Sequence, residues 1–176
     1  MTATRLFVSL IGLALSAGPL ACLAENPATE RKPLDFELSD GKVFVRLADL
    51  PPRLTLVNFW RADCPPCLRE MPLLASQTGR GGLRVVAIAL QRPAETASAP
   101  APVAAALQPP VISLHGPSEP RGLLARFGNR IGALPHTIVL DPQRRVCAQH
   151  TGEVSSDWLD DALRRCQSPS STVQTS

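Results

Sequence analysis

The feature that most restricts the fold of this chain is a pair of cysteines, Cys64 and Cys67, that closely follows an apolar run over residues 54–60. The run reads Leu-Thr-Leu-Val-Asn-Phe-Trp, is rich in strand-forming residues and predicts a strand buried on both faces. Apolar positions after the second cysteine recur with helical spacing, which predicts a helix from Cys67 to about Ser76 with a kink at Pro72. The cysteines therefore lie at a turn from a buried strand into a helix.

Strand and helix patterns alternate along the rest of the chain. An Asp-Gly dipeptide separates two short apolar runs, residues 36–38 and 43–45, and predicts a β-hairpin. Further strands are predicted over residues 83–90, 137–140 and 145–151, and helices over residues 94–108, 118–127 and 156–166. Pro100 and Pro102 break the first of these segments, so only a short irregular helix is expected there, in its second half. The alternation predicts an α/β fold, with a central mixed sheet flanked by helices and an N-terminal hairpin.

The N-terminal residues 1–24 carry one charge, at Arg5, ahead of an uncharged apolar stretch and a run of small residues. This pattern predicts a signal peptide cut after Ala24. Retention of the stretch as a membrane anchor and lipidation at Cys22 are the alternatives, and all three place the domain in the periplasm or otherwise outside the cytoplasm. The other segments expected are a flexible lead-in over residues 25–33, one domain over residues 34–166 and a disordered tail over residues 167–176.

Composition and spacing argue against two classes of function. Formal net charge is only +3, Tyr is absent and the basic residues are scattered, so nucleic-acid binding is not expected. A four-ligand zinc site needs a second Cys/His pair with ligand spacing, which the sequence does not show. We therefore expect no metal. We also expect no other cofactor and a monomeric protein.

The position of Cys64 at the start of a helix predicts a reactive sulfur. Helix N–H groups and the helix dipole stabilise a thiolate there, so the pKa of Cys64 is expected below the value of about 8.5 for a free thiol. Pro65 and Pro66 have no N–H, which leaves the amide of Cys67 as the main donor, so this dipeptide is expected to tune the reduction potential. Cys64 would attack a disulfide and Cys67 would resolve the mixed disulfide. The pattern favours redox exchange over a purely structural disulfide.

Two segments of the chain resemble a known family. The run Val-Asn-Phe-Trp-Arg-Ala-Asp-Cys-Pro-Pro-Cys-Leu-Arg-Glu-Met-Pro, residues 57–72, resembles the active-site block of TlpA/ResA-type thioredoxin-like proteins. Gly-Ala-Leu-Pro-His-Thr-Ile-Val-Leu-Asp, residues 132–141, resembles that family's cis-proline loop and following strand. The resemblance implies a thioredoxin-like fold and the reduction of disulfides in exported proteins, often in cytochrome c maturation. It also implies a membrane electron donor, which the sequence does not identify.

The resemblance assigns roles to four residues. Cys64 is the nucleophile, Cys67 the resolving thiol, Glu70 the acidic residue near the pair and Pro135 the cis-proline. Glu70 lies three positions after Cys67, on nearly the same helix face, where it could exchange a proton. A solvated glutamate in the first helical turn is the alternative. For Pro135, a cis bond would present the backbone of Leu134 to an extended peptide, and an ordinary trans turn is the alternative.

Two positions depart from the family pattern. Asp63 stands where the family usually has Trp, and its charge beside the thiolate is expected to raise the pKa of Cys64, with Arg61 offsetting it in part. His136 follows the proline where Thr or Glu is common. It could place a titratable charge close to the sulfurs, although a surface or packing role is the alternative.

Cys147 and Cys166 remain after the redox pair. Cys147 lies in the last predicted strand and Cys166 at the end of the last helix, and the two elements have similar lengths counted from the turn between them. We therefore predict a second, structural disulfide, with two buried free thiols as the alternative. Cys22 is left over, as expected for a residue of a cleaved signal peptide.

Reduction of disulfides is the leading functional hypothesis, and there are three alternatives. An oxidant or isomerase would use the same cysteines at a different reduction potential. A Cu(I)-binding chaperone would use the two thiolates as soft ligands, but such chaperones on this fold usually carry CxxxC and a dedicated His. A thiol peroxidase would need a Thr-x-x-Cys nucleophile, which the sequence does not contain.

Overall fold

Seven strands build one mixed sheet in the part of the chain that the computed structural model describes, residues 32–117 and 119–167. In chain order they are β1 (Glu37–Ser39), β2 (Phe44–Arg46), β3 (Thr55–Trp60), β4 (Arg84–Ala89), β5 (Ile112–His115), β6 (His136–Leu140) and β7 (Val146–Thr151). Their order across the sheet is β2-β1-β5-β4-β3-β6-β7. β3 runs parallel to β4 and antiparallel to β6, so the strand before the cysteines has a neighbour on each side.

Five α-helices and two 3₁₀ turns accompany the sheet within the same residues. They are α1 (Pro65–Ser76), α2 (Pro93–Ala97), α3 (Ala101–Ala106), α4 (Arg121–Arg126) and α5 (Ser156–Gln167), with 3₁₀ turns over Leu47–Asp49 and Arg80–Gly82. α1 begins at Pro65 because proline is favoured at the first helical position, where no N–H is needed. None of the helices described has the length and apolar character needed to cross a membrane.

The side chains of β3 alternate between two apolar clusters, one on each face of the sheet. Leu56 and Trp60 belong to the cluster that contains residues of α1 and α5, whereas Val57 and Phe59 belong to the cluster that contains residues of α4. All six residues of β3 are buried. The prediction of a strand buried on both faces is confirmed, and so is the α/β class with a mixed sheet and an N-terminal strand pair.

Three elements differ from the sequence-based prediction. β5 was not predicted, because its four residues carry little pattern of their own and pair with β4 and β1. The short helix expected in the second half of residues 94–108 is α3, with Pro100 as its cap, whereas α2 in the first half was not predicted. α4 begins at Arg121, three residues later than the start predicted at Ser118.

The predictions for the chain ends fall almost entirely outside the described residues. The signal peptide and most of the lead-in precede Lys32, and nearly all of the tail follows Gln167. Those segments and the exact domain limits stay predictions.

Candidate active site

The cysteine pair lies between the end of β3 and the first turn of α1. Cys64 caps the helix and Cys67 lies in its first turn, and their sulfurs are bonded at 2.06 Å with the Cα atoms 5.3 Å apart. Cys64 is partly exposed, whereas Cys67 is completely buried. Only the first sulfur is therefore placed to meet a partner protein.

One backbone donor serves the sulfur of Cys64. The amide of Cys67 donates to Sγ of Cys64 over 3.3 Å. Pro65 and Pro66 occupy the two positions between them and supply no N–H. The structure thus contains the donor that the sequence predicted for this sulfur.

Glu70 lies on the buried face of α1, one turn after Cys67, and is only 2% exposed. Its Oε1 accepts a hydrogen bond of 2.7 Å from the side-chain amide of Asn58, and its Oε2 accepts one of 2.9 Å from the amide of Val154. Burial raises the pKa of Glu70 to about 7, although both hydrogen bonds act in the opposite direction. The carboxyl group can therefore hold or release a proton near neutral pH, and the alternative of a solvated glutamate is wrong.

Asn58 and Thr137 complete this buried polar group, and neither was predicted from the sequence. They are direct partners across β3 and β6, and Nδ2 of Asn58 donates to Oγ1 of Thr137 over 2.9 Å as well as to Glu70. Oδ1 of Asn58 is buried without a hydrogen-bond partner in the structure. The available signal was a single amide inside an otherwise apolar strand, because such a residue needs a buried partner.

The loop before β6 brings Pro135 to the same end of the sheet as the cysteines. Phe59, near the end of β3, pairs with His136, so the residue just before His136 lies beside the loop that leads to Cys64. The Leu134–Pro135 peptide bond is cis, and the carbonyl of Pro135 accepts from the amide of Gly152 at 2.8 Å. Leu134 is partly exposed, so its backbone borders the surface around the cysteine pair.

His136 faces away from this group. Its ring nitrogens lie 2.9 Å from the carbonyl of Phe127 and 2.8 Å from Oγ1 of Thr151, and its ring stacks on Phe59 at 6.1 Å. Side chains alternate along a strand, so Thr137 points toward Glu70 and His136 toward the opposite cluster. Burial lowers the pKa of His136. These contacts describe a packing residue and give no support to the hypothesis that His136 tunes the sulfurs.

Asp63 forms an ion pair with Arg61 immediately before Cys64. The guanidinium of Arg61 donates to both carboxylate oxygens, over 2.8 and 2.9 Å, and this contact lowers the pKa of Asp63. The two side chains are 69% and 42% exposed for Asp63 and Arg61 respectively. Asp63 therefore carries its charge beside Cys64, together with a neighbouring positive charge that offsets it.

Cys147 and Cys166 form the second disulfide. Their sulfurs are bonded at 2.01 Å and their Cα atoms are 5.4 Å apart, which joins β7 to the last turn of α5. Cys166 is buried at 9% exposure, and Cys147 is partly exposed. Within residues 32–117 and 119–167, no three His, Cys, Asp or Glu side chains cluster in a way that could hold a metal ion.

The chain is similar to known thiol-disulfide proteins over most of this region. Residues 27–163 match the Redoxin family. The thiol-disulfide oxidoreductase ResA of Halalkalibacterium halodurans is 26% identical over 126 residues, which cover 68% of this chain and 65% of that protein. A thiol:disulfide interchange protein DsbE homolog of Paracoccus denitrificans is 31% identical over 107 residues, covering 57% and 52% respectively. The chain therefore spans between about half and two thirds of the length of these curated relatives.

A solved structure shows the same fold. The solution structure of a thiol:disulfide interchange protein from a Bacteroides species matches with a TM-score of 0.58 at 20% identity, covering 81% of this chain and 92% of the other. The resemblance inferred from the two sequence motifs is confirmed. This chain belongs to the Redoxin family and is a thioredoxin-like protein of the TlpA/ResA type.

Proposed function

We propose that this chain is an extracytoplasmic thiol–disulfide oxidoreductase that reduces disulfides of exported proteins through Cys64 and Cys67. The observation that carries the proposal is the asymmetry of the pair. Cys64 is partly exposed at the helix start with an amide donor on its sulfur, while Cys67 is buried one helical turn from Glu70. An exposed attacking sulfur and a protected resolving sulfur are what successive thiol–disulfide exchange requires.

The reaction begins from the reduced pair. The thiolate of Cys64 attacks one sulfur of a substrate disulfide, forms a mixed disulfide and releases the other substrate sulfur as a thiolate. The thiolate of Cys67 then attacks Sγ of Cys64 and releases the second substrate sulfur. The substrate gains two electrons, and the Cys64–Cys67 disulfide seen in the structure is the oxidised product. A membrane electron donor would return the pair to the dithiol.

Glu70 is proposed to take the proton of Cys67 before the second attack. The Cys67 thiol is completely buried, and a buried thiol needs a nearby base to become a thiolate. A carboxyl group with a pKa of about 7, on the same helix face, can accept that proton and return one to the departing substrate thiolate. Asn58 and the amide of Val154 hold the carboxylate in place for both transfers.

Leu134 and Pro135 are proposed to hold the substrate chain. Leu134 is partly exposed next to the loop that leads to Cys64, and an extended peptide can pair with such a backbone edge. Backbone pairing does not depend on the substrate's side chains, so it suits a reductase that acts on disulfides in different sequences. Proteins of cytochrome c maturation are the first substrates to examine, because the family resemblance points to them.

The decisive experiment is to trap the mixed disulfide. With Cys67→Ala, attack by Cys64 should leave a stable covalent adduct to exported substrate proteins, which can be isolated without reductant and identified. The double variant Cys64→Ala/Cys67→Ala is the matched control and should capture nothing. Absence of adducts with the single variant, in cells that express the exported chain, would contradict the proposal.

A further inference from the structure

Arg84 is buried at the end of the sheet that lies opposite the cysteines. It is the first residue of β4 and pairs with Thr55, the first residue of β3, whereas Cys64 lies beyond the last residue of β3. Arg84 is only 8% exposed. Its guanidinium donates to the carbonyl of Pro51 over 2.7 Å and to Oγ1 of Thr55 over 3.4 Å. A guanidinium has five N–H donors, so these two neutral acceptors leave donors for a further group.

Arg84 carries a charge that no neighbouring carboxylate balances. Among the residues that the structure describes, it takes part in no ion pair. Burial, and after it the like charge of Arg53, lower the pKa of the Arg84 guanidinium, which nevertheless stays protonated at neutral pH. A buried charge without a counter-charge is costly, which points to an anion as the absent partner.

A cavity adjoins this guanidinium. It has a volume of about 320 Å³, and its lining includes Leu47, Pro51, Pro52, Arg53, Arg84 and Arg144. We call it the Arg84 cavity. Its volume is at the lower end of the range of about 300–1,000 Å³ for small-molecule sites. Apolar residues and three arginines line it, which is the composition expected of a site for a small anionic molecule.

Positive charge is in excess around the Arg84 cavity, with three lining arginines and one shared carboxylate. Arg144 lies 3.6 Å from the carboxylate of Asp35, which also binds Arg46 at 2.8 Å, so Asp35 shares its charge between two guanidinium groups. Arg53 is exposed. Like Arg84, it forms no ion pair with any of the described residues. A phosphate group carries close to two negative charges at neutral pH and matches guanidinium geometry.

Arg144 is the third arginine beside the Arg84 cavity. It is the one described residue other than glycine with a positive φ, at 62°, in the turn between β6 and β7. The amide of Arg144 donates to the carbonyl of Asp141 over 2.8 Å, which closes a three-residue hairpin loop whose last residue ordinarily has a left-handed conformation, so the turn accounts for this φ. Arg144 is among the residues that line the Arg84 cavity, so this turn places a third arginine next to it.

We propose that the Arg84 cavity binds a phosphate-type oxyanion, with Arg84 and Arg53 as its principal ligands and Arg144 at its rim. This site is separate from the cysteine pair and independent of the proposed redox function. The oxyanion can be that of a free small molecule or of a lipid headgroup, and both present the same chemistry to the three arginines.

The test is a titration of the oxidised full chain with inorganic phosphate at constant ionic strength, followed by two-dimensional NMR. Saturable shifts are expected for the amides of residues 53–55 and 84. Loss of one charged hydrogen-bonding partner weakens binding about tenfold or more, so Arg84→Gln should raise the apparent Kd by at least that factor. Arg53→Gln should raise it by a smaller factor because its side chain is exposed. Arg121→Gln, at an exposed position on α4, is the matched control and should leave it unchanged.

Arg144→Gly separates binding from structure and guards against a failure of Arg84→Gln to fold. Glycine relieves the positive φ, so the variant should melt at a higher temperature and yet bind phosphate more weakly. A role in the turn alone would leave the affinity for phosphate unchanged. Lack of saturable phosphate binding, or equal affinity in wild type, Arg53→Gln and Arg144→Gly, would overturn the proposal.

The source of the oxyanion is decided by a second arm with vesicles. The chain is sedimented with phosphatidylcholine vesicles that contain or lack anionic phosphatidylglycerol. Sedimentation only with the anionic vesicles, and its loss in Arg53→Gln, would assign the Arg84 cavity to a lipid headgroup. Saturable binding of inorganic phosphate without sedimentation would assign it to a free small molecule. A chain that binds neither probe has no oxyanion site at this position.

Discussion

The Cys64–Cys67 bond closes a turn at the start of α1, whereas the Cys147–Cys166 bond joins β7 to the end of α5 across 19 positions. The first has a partly exposed sulfur, an amide donor and a buried carboxyl group one helical turn away. The second ties two ends of secondary structure together. The two disulfides therefore have different roles. The groups around a disulfide determine its reactivity, and the number of residues between its cysteines determines its effect on stability.

The largest expected effect is on activity, which should depend on the first disulfide and not on the second. Cys64→Ser should reduce the rate of insulin disulfide reduction to that of the uncatalysed reaction, since no attacking sulfur remains. The matched double variant Cys147→Ser/Cys166→Ser should keep its activity at a temperature where it is folded. A loss of activity in the double variant would show that the second disulfide also takes part in exchange.

For stability, the larger effect is expected from loss of the second disulfide. In the chain-entropy model, a loop of this length contributes about 3 kcal/mol, so Cys147→Ala/Cys166→Ala should lower the free energy of unfolding of the oxidised protein by about that amount. The shorter loop of Cys64→Ala/Cys67→Ala should cost about 2 kcal/mol in the same model. Urea denaturation at one pH measures both. Equal losses would mean that strain or packing outweighs loop length.

Glu70 should make the surroundings of the first disulfide sensitive to pH. Its pKa of about 7 in the folded protein lies above the ordinary value of 4.5, so the folded state binds more protons between these values. Stability from the protonated group is complete below about pH 4.5 and is lost as pH rises through about 7, by on the order of 3 kcal/mol.

Urea denaturation of Glu70→Gln across this pH range tests the expectation. Wild type should lose stability relative to Glu70→Gln as pH rises, because glutamine does not titrate. Glu119→Gln replaces an exposed carboxylate that is not among the groups acting on Glu70, and serves as the control. Parallel pH profiles for wild type and Glu70→Gln would contradict a raised pKa at this position.

A smaller change is expected from Asn58. Its amide donates to the Glu70 carboxylate and thereby lowers the pKa of Glu70 against the effect of burial. Asn58→Leu should therefore move the titration midpoint of Glu70 upward, measured from the ¹³C shift of its carboxyl carbon. Thr137→Val is the control, because it removes the other acceptor of that amide and leaves the bond to Glu70. An unchanged midpoint in Asn58→Leu would show that the amide only fills space.

The smallest effect is expected at the ion pair before Cys64. Exposed pairs contribute about 1 kcal/mol or less, so neither Asp63→Asn nor Arg61→Gln should change stability strongly. Their effects on the reduced Cys64 should have opposite signs. Asp63→Asn should lower the pH midpoint for alkylation of Cys64, and Arg61→Gln should raise it. Shifts in the same direction would show that conformation, rather than charge, controls this sulfur.

The sequence predicted the parts of the site that are close together along the chain. Cys64, Cys67 and Glu70 share one turn-and-helix segment, whose signals are local. Thr137 was missed because it meets Asn58 only through the pairing of β6 with β3. The prediction that His136 lies near the sulfurs has no support from the structure. The face toward which a strand side chain points depends on strand register, which the residue type alone does not reveal. β5 was missed for the same reason, since its neighbours define it as a strand.

The hydrogen bond from the Cys67 amide to the sulfur of Cys64 has an evolutionary consequence. Its donor belongs to the backbone and arises whenever α1 begins at this position, so an ordinary change of side chain at Cys67 does not remove it. Prolines at the two intervening positions keep other amides from joining it. Replacing Pro65 or Pro66 would add an N–H near this sulfur, and replacing Asp63 would remove a charge, so substitutions at these three positions can change the reactivity of Cys64 without a change of fold.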